Sequence, residues 1–162
     1  MNRAIFLDRD GVINKEVGDY VHLWEEFEFN TGIFEVLRNC QNRGYLLIIV
    51  TNQGGIAKGR FTEEDVESLM NKVIDQFKSE GIEISEYYYS PHHDEISNSL
   101  DRKPESIMIE KGLARFNIDP SISYIIGDSE RDIEAGKKAG LKTIKIDSNQ
   151  NLSDIVSEID DY

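Results

Sequence analysis

A single cysteine, Cys40, stands among 162 residues, so no internal disulfide can form. It keeps helical register with Ile33, Phe34 and Leu37, which marks it as a packed core thiol rather than a nucleophile. No apolar run is long enough to span a bilayer. Met1-Asn2-Arg3 leads straight into an apolar stretch without a signal-peptide pattern, so the expected compartment is the cytoplasm. Basic residues are scarce: 18 Lys and Arg stand against 31 Asp and Glu, for a formal charge of −13. Bulk electrostatics of that sign disfavour nucleic acid and anionic membrane as partners. A phosphorylated substrate would need local relief from this field, by a metal ion and by placed basic groups. Repeats, low-complexity stretches and linkers are also missing. With 39% apolar and 30% charged residues, the length suits one domain over 1–162.

What is present is a set of short apolar runs, each followed by a loop rich in Gly, Asp, Asn or Ser. The runs predict strands near 3–7, 45–50, 86–89, 123–126 and 142–146. Helical patterns fall between them, near 32–42, 62–78, 105–116, 130–139 and 152–159. The clearest carries Val66, Leu69, Met70, Val73, Ile74 and Phe77 at three- and four-residue spacing, with Thr62 and Asp65 as a capping box. Alternating strands and helices, with continuously apolar strands, predict the α/β class: a parallel sheet covered on both faces. Residues 92–101 form the one polar insertion and read as a long loop.

In open parallel sheets ligands bind beyond the carboxyl ends of the strands, and three predicted strands end there in polar clusters. The first is Asp8-Arg9-Asp10-Gly11, two carboxylates two residues apart, with a glycine that allows close approach. Each carboxylate raises the other's pKa unless a cation intervenes, and a hard divalent ion such as Mg²⁺ would serve. The second is Thr51-Asn52-Gln53-Gly54-Gly55, and the third is Gly127-Asp128-Ser129 with Asp132 a turn later. Arg102-Lys103-Pro104 adds a fourth element before a predicted helix. One carboxylate can attack phosphorus, and its neighbour can exchange protons with the leaving alcohol and the incoming water. A threonine hydroxyl and a lysine can hold phosphoryl oxygens, and a further aspartate completes a metal site. Taken singly, each part has an ordinary alternative: a strand end, a flexible turn, a surface lysine, or a helix N-terminus for Asp128 and Asp132.

The ordered set resembles the haloacid dehalogenase (HAD) superfamily of aspartate-nucleophile phosphatases across nearly the whole chain. Phe6 through Asn14 is similar to its first motif, Val50-Thr51-Asn52 to the second, Lys103-Pro104 to the third, and Gly127-Asp128 through Asp132 to the fourth. Asp-Arg-Asp-Gly, Gly55 through Phe61 and Arg102-Lys103-Pro104 resemble the branch of histidinol-phosphate and heptose-bisphosphate phosphatases. Tyr20-Val21-His22, Phe27-Glu28-Phe29 and the Gly-Ile-Ala-Lys-Gly stretch lean toward the heptose-bisphosphate side. The resemblance implies a three-layer Rossmann-like fold without a large cap domain, a monomer, and a small phosphorylated sugar as substrate. It makes Asp8 the nucleophile and Asp10 the general acid and base. Mg²⁺ is held by Asp8, Asp128 and the backbone carbonyl of Asp10. Thr51 and Lys103 bind the transferring phosphate; Asn52, Gln53 and Arg102 contact the substrate, with Arg102 reaching a distal phosphate.

Two departures stand out. Many relatives bind a structural zinc through a Cys-x-His and a Cys-x-Cys pair, where this chain has Ser90-Pro91-His92 and Ser99-Leu100-Asp101. No structural zinc is expected from that set, and His92 and His93 read as loop residues near the substrate. Ser129 also stands where some relatives place a lysine. The rival with the same chemistry is a histidinol-phosphate phosphatase or a broad-specificity phosphatase, differing in the loops at 12–30, 54–61 and 90–101. The rival of another class is a non-catalytic phospho-acceptor or binding module, such as a receiver domain. Receivers place a lone acceptor aspartate after an interior strand, where this chain has Thr51.

Overall fold

The structure, a computed structural model, describes residues 1–160. Five strands form one wholly parallel sheet: β1 (Arg3–Leu7), β2 (Tyr45–Asn52), β3 (Glu86–Ser90), β4 (Tyr124–Gly127) and β5 (Lys142–Lys145). Their spatial order is β3-β2-β1-β4-β5. The chain therefore builds outward from β1 in one direction and then returns to build in the other. That reversal puts a crevice at the carboxyl end of β1, beside β4.

Four helices connect the strands: α1 (Ile33–Asn42), α2 (Glu63–Ser79), α3 (Ile107–Arg115) and α4 (Glu130–Lys138). Alternation along each strand divides the core in two. Ile5 and Leu7 of β1, with Leu47 and Ile49 of β2, face α1, α2 and the C-terminal segment. Ala4, Phe6, Ile48 and Val50 face α3 and α4 on the other side. The central strands β1, β2 and β4 are buried on both faces, which is why they are apolar at successive positions. Burying a side chain such as Phe77 or Phe6, both inaccessible to solvent, contributes about 1.5–3 kcal/mol. The α/β class and the two-sided sheet match the expectation, and no large cap domain covers the sheet edge among the described residues.

Most boundaries shift by one or two residues, and two of the differences have a clear cause. β2 continues through Thr51 and Asn52 because these pair with Tyr89 and Ser90 of β3. The helix expected over 152–159 is a 3-10 helix, Leu152–Glu158, started by the Asn151 side chain, which accepts from Ser153 N at 3.0 Å. Three residues per turn stack Leu152 above Ile155, and both are buried. The capping box of α2 forms as expected: Thr62 Oγ1 accepts from Asp65 N at 3.1 Å, and Asp65 Oδ2 accepts from Thr62 N at 2.8 Å. Cys40 is buried among apolar neighbours, and burial pushes its thiol up to about 12. Residues 92–101 are loop and turn. No described helix is long and apolar enough to cross a membrane.

Candidate active site

At the switch point the ends of β1, β2 and β4 bring their polar residues together. Asp8 follows β1, and its backbone N–H donates to Ile126 O at 3.1 Å, carrying the ladder one residue further. Lys103 arrives from the segment before α3 and is almost fully buried. All three of its ammonium protons are used: Nζ donates to Asp8 Oδ1 at 2.9 Å, to Val50 O at 2.8 Å and to Asp132 Oδ1 at 2.5 Å. Burial alone would lower its pKa, but Asp8 and Asp132 together raise it above the ordinary lysine value. Lys103 is thus a fixed cation under the site, joining the ends of β1 and β2 to the start of α4.

Asp132 serves two structures at once. Its Oδ2 accepts from Ser129 N at 3.2 Å and Ser129 Oγ at 3.0 Å, closing a capping box on α4. Its Oδ1 holds Lys103. The helix-terminal reading of Asp132 is therefore correct, and the ammonium is its second task. Gly127 makes this packing feasible, since a Cβ there would sit 2.2 Å from Asp132 Cβ.

Oxygens of Asp8, Asp128 and Asp132 lie within 4.8 Å of one another. Asp132 has both oxygens engaged, so Asp8 and Asp128 are the carboxylates left to meet a cation. An oxygen-only set of this kind fits Mg²⁺. Burial, then the charge of Asp132, push the Asp8 carboxyl up to about 8 against the pull of Lys103, and Asp128 adds to the rise. Asp128 is raised too, first by burial, while Ser148 Oγ donates to its Oδ2 at 2.8 Å and opposes the shift. Gly11 lies against this carboxylate with φ +86°, and a Cβ on it would come 2.0 Å from Asp128 Oδ2. Both the left-handed backbone and the contact require glycine there.

Asp10 points elsewhere. Its Oδ1 accepts from Arg9 Nη2 at 2.9 Å and Asn14 Nδ2 at 3.1 Å, and its Oδ2 accepts from Gln53 Nε2 at 3.1 Å. Burial pushes Asp10 up, but Arg9, Asn14 and Gln53 outweigh it and hold the carboxyl below the usual range. The cation between the two aspartates of the motif is thus Arg9, on the Asp10 side. Arg9 is 1% exposed; its Nη2 also donates to Val21 O at 2.6 Å, and the guanidinium lies 6.0 Å from the Phe27 ring centre. It ties the acid to the loop before α1, where Trp24 stacks on Phe27, Phe27 meets Phe29 edge-on, and Phe29 in turn contacts Phe34 and Phe77.

The expected substrate-contacting residues take up different positions. Thr51 is 1% exposed, and its Oγ1 accepts from Gln53 Nε2 at 3.0 Å. Gln53 therefore braces both Thr51 and Asp10. Asn52 clamps the third motif: its Nδ2 donates to Lys103 O and its Oδ1 accepts from Lys103 N, each at 3.0 Å. Arg102 is buried to 5% exposure and donates from Nη1 to His92 O at 2.9 Å.

A cleft of about 320 Å³ opens over these groups, with Asp8, Asp10, Asn52, Lys103 and Asp128 on its walls. Glu16 and Tyr20, Gly54, and His93 with Arg102 also line it, so each of the three loops flagged as substrate-selecting contributes. Burial, Lys58 and Arg102 lower the pKa of His93. Four residues escaped the sequence reading: Arg9 as a brace, Arg131 and Glu16 on the cleft wall, and Ser148 beside Asp128. The charge of Arg9 between two acids was the one available signal.

Of the three residues that stand at the cysteine positions, Asp101 gathers the other two and the retained His92 around its carboxylate. Ser90 Oγ and Ser99 Oγ each donate to Asp101 Oδ1 at 2.7 Å, and His92 Nε2 lies 3.6 Å from Asp101 Oδ2. Asp101 closes this loop through hydrogen bonds.

Residues 100–159 match the HAD-hydrolase-like family. A protein from Haemophilus ducreyi named D-glycero-beta-D-manno-heptose-1,7-bisphosphate 7-phosphatase is 39% identical over 149 residues, covering 87% of this chain and 80% of its own. The chain belongs to the HAD family of hydrolases. Within that family it sorts with the phosphomonoester hydrolases. The alpha-named counterpart from Burkholderia mallei is 40% identical over 162 residues, covering 96% of this chain and 85% of its own. Among solved structures, D,D-heptose 1,7-bisphosphate phosphatase from B. bronchiseptica, in complex with magnesium and phosphate, shares the fold. Its TM-score is 0.84 at 24% identity, over 94% of this chain and 86% of that one.

Proposed function

We propose that this HAD hydrolase is a Mg²⁺-dependent phosphatase that removes the 7-phosphate of D-glycero-D-manno-heptose 1,7-bisphosphate through an aspartyl-phosphate on Asp8. The observation that carries the reading is the buried Lys103 bridge, which sets Asp8, Asp132 and Asp128 around one point at the cleft floor. The relatives named for this sugar supply the substrate.

Asp8 Oδ1 is held by Lys103, leaving Oδ2 outside that bond to attack phosphorus. The bond from phosphorus to the sugar oxygen breaks, and Asp10 donates its proton to the departing alkoxide. Asp10 then takes a proton from water, whose oxygen attacks the aspartyl-phosphate and releases inorganic phosphate and the Asp8 carboxylate. Arg9, Asn14 and Gln53 keep Asp10 ionised in the free protein, the form required for this second step; an arriving phosphate dianion raises its pKa for the first. Asp8, Asp128 and the Asp10 carbonyl would hold Mg²⁺, which when bound supplies positive charge between nucleophile and phosphate. Thr51 and Lys103 hold phosphoryl oxygens, Asn52 and Gln53 keep Lys103 and Thr51 in place, and Arg102 meets the distal phosphate. No zinc enters the scheme, since Ser90, Ser99 and Asp101 already bind one another. We place the reaction in the cytoplasm, carried out by a monomer on a soluble sugar phosphate.

The test is phosphate release with Mg²⁺ from both anomers of the heptose bisphosphate and from histidinol phosphate, with Asp8→Asn as the blank. A kcat/KM preference for one heptose anomer supports the reading. Comparable low rates on all three would discard the substrate and favour a broad-specificity phosphatase.

A further inference from the structure

We propose that Arg131 joins Arg102 in seating the second, non-reacting phosphate of a bisphosphorylated sugar, with Asp94 as the internal anion that occupies this subsite until substrate arrives. The inference rests on the phosphatase reading above and adds a specificity determinant to it.

The placement follows from the buried bridge. Lys103 and Asp132 are joined at 2.5 Å, and Arg102 and Arg131 are the residues immediately before each. The bridge therefore fixes the mutual position of their backbones, and both side chains line the same cleft as Asp8 and Asp128. Two segments far apart in sequence thus contribute one guanidinium each to one wall.

Their present partner is incomplete. Asp94 Oδ1 lies 3.2 Å from Arg102 Nε, and Asp94 Oδ2 lies 3.6 Å from Arg131 Nη2. Arg102 Nε is buried, and the Asp94 oxygen facing it does not complete a well-directed hydrogen bond. Asp94 and Arg131 are each about half exposed, at 51% and 53%, whereas Arg102 is 5% exposed. One carboxylate therefore serves two guanidinium groups and leaves one positive charge unmatched. A phosphate monoester dianion would match both charges, and its oxygens suit paired N–H donors.

Two neighbours keep the wall open. A Cβ on Gly54 would come 2.6 Å from His93 Cδ2 and 3.1 Å from Arg102 Nη1, so glycine there leaves room for the guanidinium at the cleft. Ser129, also on the wall, turns its hydroxyl to Asp132 and adds no charge. In a chain of net charge −13, this pair is a concentrated exception.

The test compares kcat/KM for heptose 1,7-bisphosphate with that for heptose 7-phosphate, and in parallel for fructose 1,6-bisphosphate with fructose 6-phosphate. Arg131→Gln is expected to lower the bisphosphate-over-monophosphate ratio about tenfold, chiefly through KM, and Arg131→Lys less. Asp94→Asn is expected to lower KM for the bisphosphate several-fold, because its competing charge is gone. A ratio unmoved by Arg131→Gln, or a higher bisphosphate KM in Asp94→Asn, would overturn the subsite. Failure on the heptose pair with a shifted fructose ratio would remove the heptose assignment and keep the subsite. Turnover of heptose bisphosphate with an unmoved ratio would do the reverse.

Discussion

Replacing Lys103 by Met removes a buried cation and leaves its partners in place, so its cost can be worked out in advance. The ammonium donates to Asp8, Asp132 and the Val50 carbonyl, and all of it is buried. Without it, Asp8 and Asp132 share a charge with no cation beside them. Breaking a buried pair from one side costs about 3–5 kcal/mol. Protonation caps that cost, because a carboxyl can take up a proton for about 1.4 kcal/mol per pH unit above its ordinary value near 3.9. The cap is about 4 kcal/mol at pH 7 and about 2 kcal/mol at pH 5.5. The lost donor to Val50 O adds a cost of about 1–3 kcal/mol that does not change with pH. At about 2–4 °C per kcal/mol for a chain of this size, the Tm deficit of Lys103→Met should shrink by about 4–8 °C between pH 7 and 5.5. The measurement is thermal unfolding of both proteins in EDTA, so that a metal ion cannot replace the missing charge. A deficit constant with pH, or larger in acid, would refute the claim that Lys103 neutralises this pair.

Gly11→Ala should raise the Mg²⁺ concentration for half-maximal activity by tenfold or more, because its Cβ would meet Asp128 Oδ2 at 2.0 Å; Mg²⁺ titration of phosphate release checks it. Asp101→Ala should open the 90–101 loop, read as several-fold faster limited proteolysis there, whereas EDTA should leave wild-type cleavage unchanged. The pH dependence has a definite sign. Asp8 and Asp128 are raised by burial, and such groups contribute stability that is present in acid and lost as pH rises through the folded pKa. Metal-free protein should therefore lose Tm between pH 4 and about 8, where Asp8 titrates, and the gain in Tm on adding Mg²⁺ should grow over the same range. A similar slope in Asp8→Asn would contradict that assignment.

The α/β sheet could be read because its central strands are apolar at successive positions, which follows from burial on both faces. β2 ran two residues long because pairing with β3, a partner far along the chain, decides where it stops. The motif residues were legible as types at strand ends, since a parallel sheet delivers those ends to one edge. Their division of labour was not. Gln53 and Asn52 were expected to touch substrate; the fold adds that their amides hold Thr51, Asp10 and the Lys103 backbone, with Asn52 also on the cleft wall. Arg131 gave no local signal, because its place on the cleft wall depends on the contact between Asp132 and Lys103. The Ser90, Ser99 and Asp101 network also needed the fold. Spacing said only that cysteines were missing, and the hydrogen bonds say what took their place.

The most direct measurement is to quench a steady-state reaction with heptose bisphosphate and Mg²⁺ in acid, reduce it with borohydride and map the peptides by mass. An acyl-phosphate on Asp8 is reduced to homoserine, so the account predicts homoserine at position 8 and none at positions 10, 128 or 132. Homoserine at one of those positions instead, or rapid phosphate release with no residue reduced, would contradict it.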